Sequence, residues 1–87
     1  MSYEVRLEPS VEKTLSKLDP RDRERITLAI YALRDNPRPQ GCLKMKGFAN
    51  QWRIAVKPRW RVVYSIWDKQ LLIEIVDVDD RKDIYKR

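Results

Sequence analysis

The spacing of apolar residues in this 87-residue chain changes from a period of three to four to a period of two at Asn36-Pro37-Arg38-Pro39-Gln40-Gly41. Before that break apolar residues recur every three or four positions over two stretches, the mark of amphipathic helices; after it they recur every two, the mark of strands. A short alternating stretch, Tyr3-Glu4-Val5-Arg6-Leu7, opens the chain as a first strand, and Pro9 ends it. Ser10 then offers an N-cap, and Val11, Leu15 and Leu18 share one face of a short helix. Asp19-Pro20 starts a second helix, with Asp as the cap and Pro where its missing N–H costs nothing. Ile26, Ile30 and Leu33 line its face, and it stops before Asn36-Pro37 because the residue preceding proline avoids the helical region.

Beyond the break come an edge strand at Cys42-Leu43-Lys44-Met45-Lys46, strands over Trp52 to Val56 and Trp60 to Ile66, and a β-rich stretch from Gln70 to Val78. The expected fold class is α+β: one strand, two helices, then about four antiparallel strands, with the helices packed on one face of the sheet. Residues 1–87 form a single domain, since a chain this short buries only about 60% of its unfolded surface and can build one core. Two short helices cover one face of such a sheet and leave the other available.

Several chemistries are excluded by counts. The chain has no histidine and one cysteine, Cys42. Histidine acid–base pairs, Ser-His-Asp triads, His-built zinc sites and cysteine clusters are therefore absent, and no metal or other cofactor is expected. Cys42 reads as a small core residue. No apolar run approaches a membrane span, and the N-terminus lacks a signal-peptide core, so a cytoplasmic protein is expected.

The net charge is +6, and its distribution is uneven. From Asn36 through Trp67 there is no Asp or Glu, whereas the basic residues Arg38, Lys44, Lys46, Arg53, Lys57, Arg59 and Arg61 fall there. The remaining 12 basic and 13 acidic residues nearly cancel. A surface built for solubility mixes signs, whereas one built for phosphate does not.

Strand alternation puts Arg53, Ala55 and Lys57 on one side of their strand, and Trp52, Ile54 and Val56 on the other. If the tight Lys57-Pro58-Arg59 connection pairs Val56 with Trp60, Ala55 lies opposite Arg61, and Arg53 and Arg61 share the uncovered face. A slip of one residue would reverse this. The tail then adds Arg81-Lys82-Asp83-Ile84-Tyr85 just after the last strand.

These segments resemble those of the RelE/ParE superfamily of toxins. The likeness lies in the strand pair Trp52-Arg53-Ile54-Ala55-Val56 and Trp60-Arg61-Val62-Val63-Tyr64, and in the ending Val78-Asp79-Asp80-Arg81-Lys82-Asp83-Ile84-Tyr85. It extends to Lys17-Leu18-Asp19, to Leu33-Arg34-Asp35-Asn36-Pro37, and to Leu43-Lys44-Met45-Lys46-Gly47. The resemblance implies a RelE-type toxin that cleaves messenger RNA in the ribosomal A site. A 2′-hydroxyl attacks the adjacent phosphodiester, which leaves a 2′,3′-cyclic phosphate and a 5′-hydroxyl. It implies that Arg61 stabilises the transition state, that Arg81 sits at the scissile phosphate or leaving oxygen, and that Tyr85 serves base stacking or proton transfer. Arg53 stands where relatives carry a basic strand residue. The implied partners are an acidic antitoxin, the ribosome and mRNA.

Arginine stays charged at any working pH, so Arg53, Arg61 and Arg81 can clamp phosphate but cannot be ordinary general bases. Relatives place a lysine for proton handling where this chain has Ala55; Lys57 or Tyr85 is left to substitute. Pro58 and Trp60 replace the usual Gly-Asp turn, and Asp80 stands where many members have histidine. Lys44, Lys46, Lys57 and Arg59 are candidate RNA contacts, although Lys44, Lys46 and Arg59 fit equally a role in guarding a sheet edge. Trp52, Trp60, Trp67 and Tyr64 read as packing. Glu74 and Asp77, three apart on a strand, are expected to face opposite ways. Two other readings remain: a ParE-like toxin that inhibits gyrase without nuclease activity, and a non-catalytic RNA-binding module.

Overall fold

The computed structural model describes residues 2–80. Strand β1 (Glu4–Leu7) is followed by helices α1 (Pro9–Ser16) and α2 (Pro20–Ala32), then by strands β2 (Leu43–Lys44), β3 (Gln51–Val56), β4 (Trp60–Trp67) and β5 (Leu72–Asp80). A short 3-10 turn, Asp68–Gln70, joins the last two strands. The sheet order is β1-β5-β4-β3-β2. The last four strands are antiparallel, as the alternation indicates, while β1 runs parallel to β5 and makes the sheet mixed.

Both helices start at a proline. Asp19 caps α2, its Oδ1 accepting from the Arg21 and Asp22 amides at 2.9 and 3.1 Å. At α1 the cap is Glu8 with Pro9 as the first helical residue, not Ser10 as expected. The argument made for Pro20 applies to Pro9 as well: its fixed φ suits the first turn, and no N–H is lost. The edge strand is also shorter than expected, two residues rather than five.

One apolar cluster joins Val11 and Leu15 of α1, and Ile26 and Ile30 of α2, to the strand residues Val62, Tyr64, Ile73 and Ile75. The helices therefore cover one face of the sheet, and alternation sets the inward residues of β3 and β4. Tyr64 is fully buried, and its hydroxyl donates to the Pro37 carbonyl at 2.7 Å. Burial raises its pKa well above that of free tyrosine, so it remains a donor. This bond ties the proline-rich loop to the central strand. Tyr64→Phe is expected to cost about 1 kcal/mol, the usual net worth of such a bond; chemical denaturation of the two proteins measures it.

The same loop is held from a second side. Arg38 donates from both terminal nitrogens to Asp68 at 3.3 and 2.9 Å, and its guanidinium lies 5.1 Å from the centre of the Trp52 ring. The Tyr3 hydroxyl donates to the same carboxylate at 2.7 Å. Together these donors hold the Asp68 carboxyl below the usual carboxylate range. Arg38, one of the seven bases in the acid-free segment, is thus a structural clasp.

Candidate nucleic-acid interface

The β3–β4 hairpin has the register that the tight connection implies: Val56 pairs with Trp60, Ala55 with Arg61 and Arg53 with Val63. Ile54, Val56, Trp60 and Val62 are buried toward the helices, so Arg53 and Arg61 share the uncovered face. They are diagonal neighbours on adjacent strands, a relation that puts their Cβ atoms roughly 7–8 Å apart. Two guanidinium groups on stems of that spacing can reach one phosphate.

Arg61 is not free. β5 lies on its other side with Asp79 directly opposite, and the Arg61 Nε and Nη2 donate to the two Asp79 oxygens at 3.3 and 3.2 Å. This fork is the geometry by which arginine holds a phosphate, with a carboxylate standing in for it. Both side chains are partly exposed, 23% and 33%, so a substrate anion can reach the fork and compete. Arg53 has no carboxylate partner among the described residues.

β5 holds a second departure from expectation. Tyr64 pairs with Ile75 but Val63 pairs with Asp77, so Val76 is an extra residue, a bulge. Ile75 and Val78 therefore both point into the core, and Glu74, Asp77 and Asp79 all lie on the uncovered face. The expectation that Glu74 and Asp77 oppose each other fails because the bulge adds one step to the alternation. The Trp67 indole donates to Glu74 Oε1 at 2.7 Å. The face is thus mixed in charge: basic on β3 and β4, acidic on β5.

The four candidate RNA contacts do not form one cluster. Lys44 pairs across from Trp52, near the start of β3, with Lys46 in the following turn. Lys57 and Arg59 sit in the β3–β4 turn, at the other end of that strand. Five residue steps separate Lys57 from the position opposite Lys44, roughly 17 Å. Arg59 is bridged to Asp80 at 3.2 Å and lies 5.3 Å from the Trp60 ring centre. Lys44, Lys46 and Lys57 have no carboxylate partner among the described residues. Beside Lys46, Gly47 takes φ +83° and turns the chain so that Phe48 stands 55% exposed. An exposed aromatic next to lysines can stack on a base. Its signal was an aromatic directly after a turn glycine in a basic loop. Arg81 and Tyr85 lie outside the described residues.

The family model for the ParE toxin of type II toxin–antitoxin systems matches residues 5–85. The chain belongs to that family. It is a RelE-type toxin of the RelE/ParE superfamily, as its relatives attest. A RelE-like toxin protein of Escherichia coli is 28% identical over 98% of this chain and 92% of its own length. The toxin's fold matches that of RelE in the archaeal RelE–RelB complex from Pyrococcus horikoshii, with a TM-score of 0.81 and 26% identity, over 93% of this chain and 97% of that one. Isolated E. coli RelE, 20% identical, shares the fold with a TM-score of 0.80 over 98% of this chain and 93% of that one. Among the described residues no group of His, Cys, Asp or Glu could hold a metal ion, and no helix is long and apolar enough to cross a membrane.

Proposed function

We propose that this toxin cleaves messenger RNA in the ribosomal A site, without a metal, by attack of a 2′-hydroxyl on the adjacent phosphodiester. The observation that carries the reading is the placement of Arg53 and Arg61 side by side on the uncovered face. Charge builds on the phosphorane oxygens in the transition state, and fixed guanidinium groups aimed at them lower the barrier. Arg61 exchanges Asp79 for the phosphate, while Arg53 offers a second positive charge. Arg81 and Tyr85 complete the site from the tail, Arg81 at the leaving oxygen and Tyr85 in stacking or proton transfer. Membership of a toxin–antitoxin family and likeness to a RelB-bound relative support a small acidic antitoxin as partner, in the cytoplasm.

A second reading, a toxin that poisons gyrase, draws on two observations: Ala55 faces Arg61 where cleaving relatives carry lysine, and the matching family model is that of ParE. Purified toxin incubated with translating ribosomes, and separately with gyrase and supercoiled plasmid, distinguishes them. Cuts inside codons support cleavage; trapped gyrase–DNA complexes support the alternative.

Lys44 and Lys46 steer RNA in this proposal. Each phosphate contact to a single strand contributes about 0.7 to the slope of log affinity against log salt. The Lys44→Ala/Lys46→Ala double variant is expected to lower that slope by about 1.4. An unchanged slope would assign both lysines to guarding the sheet edge.

A further inference from the structure

We infer that the Asp77 carboxylate is the proton acceptor of the cleavage step, in the role for which β3 offers only Ala55. The inference rests on the cleavage reading. It begins with the bulge at Val76, which turns Asp77 onto the uncovered face, directly across from Val63, two residues before Asp79 on the same strand and diagonal to Arg61. Val63 in turn faces Arg53, so the row Arg53–Val63–Asp77 runs beside the row Ala55–Arg61–Asp79. A phosphate held by Arg53 and Arg61 lies over Val63, next to Asp77.

Of the three β5 carboxylates on this face, two are engaged. Both Asp79 oxygens accept from Arg61, and Glu74 accepts from Trp67. Asp77 accepts from the Val78 amide but from no side chain among the described residues, and it is exposed. Burial of the carboxyl and then the neighbouring Asp79 charge raise its affinity for protons, against the opposing pull of the Val78 amide and Arg61. Other charged groups on the strands of this sheet are Glu74 on β5, Arg53 on β3, and, beside Leu72 and Glu74, Glu4 and Arg6 on β1. A carboxylate shifted upward is a better base than an ordinary one at neutral pH.

In the step, an Asp77 oxygen takes the proton of the 2′-hydroxyl, and the freed electron pair forms the bond from the 2′-oxygen to phosphorus. The bond from phosphorus to the 5′-oxygen breaks, and that oxygen leaves with the electron pair and takes a proton from water. The products are a 2′,3′-cyclic phosphate and a 5′-hydroxyl, and Asp77 returns its proton to solvent.

The test is single-turnover cleavage of mRNA on programmed ribosomes, across pH, by the parent toxin, Asp77→Asn and Asp77→Glu. Asp77→Asn is expected to lose roughly 10²-fold to 10⁴-fold in rate, the usual contribution of general acid–base catalysis. The rising acidic limb of the pH profile is expected to vanish in Asp77→Asn and to return in Asp77→Glu, while ribosome affinity stays at the parent value or tightens. Loss of the fold is excluded by a melting curve. A carboxyl with a raised pKa favours folding below its ordinary pKa, about 4, and that advantage is lost as pH rises through the folded value. Asp77→Asn therefore melts no lower than the parent at neutral pH. Asp77→Asn cutting at the parent rate with the parent pH profile overturns the assignment alone. A parent that cuts no mRNA overturns the cleavage reading, and the assignment falls with it.

Discussion

Arg61→Ala is expected to reduce mRNA cleavage by about 10²–10³-fold, the typical loss when one preorganised donor to a developing oxyanion is removed. The variant is expected to fold normally. Arg61 is partly exposed on the uncovered face, and its contact with Asp79 is a partly exposed pair that solvent screens, so its removal costs little. Asp79, left without its guanidinium, is itself one-third exposed and can be hydrated. Arg61→Lys should restore only part of the activity, because an ammonium supplies charge without the two parallel donors seen on Asp79. Growth arrest on induction and single-turnover cleavage both report the effect. Full activity in Arg61→Ala, with a parent-like melting curve, would remove Arg61 from the site.

The largest expected effect on stability comes from β5, the strand that joins β1 to the antiparallel part of the sheet. Ile73 is fully buried, paired to Val5 on one side and Ile66 on the other. Ile73→Ala loses its apolar contacts and opens a cavity among neighbours held by two ladders, which limits collapse. The expected cost is about 3 kcal/mol, within the range for buried isoleucine or leucine truncations. For a domain this small that corresponds to a fall in Tm of roughly 12–24 °C, and calorimetry measures it. A shift of only a degree or two would mean that the core relaxes around the gap, contrary to a sheet clamped on both sides of β5.

The hairpin that carries Arg53 and Arg61 was legible because its information is local. Six residues of alternation on one arm, a three-residue connection and eight on the other leave one register that buries Ile54, Val56, Trp60 and Val62 together. Asp19 and Pro20 likewise announce their helix within two residues. The face opposite the helices was harder to read, because its character depends on which strand lies beside which. An acid-free window from Asn36 to Trp67 looks along the chain, whereas Asp79 meets Arg61 across a ladder at a separation of 18 residues. Nothing around Val76 marks a bulge: Ile75-Val76-Asp77-Val78 alternates poorly either way, and only pairing with Val63 and Tyr64 decides where the extra residue falls. The parallel docking of β1 against β5 is similarly long-range. Pro9 is a different case. Its meaning as a helix start was available from the same physics that explained Pro20, but a strand ending at Leu7 made it read as a stop.

Primer extension on transcripts from cells expressing the toxin tests the central proposal most directly. A guanidinium clamp that works on ribosome-bound mRNA predicts discrete 5′ ends inside codons within minutes of induction, and their absence when Arg61→Ala is expressed at the same level. Uncut transcripts in cells that nevertheless stop growing would contradict it.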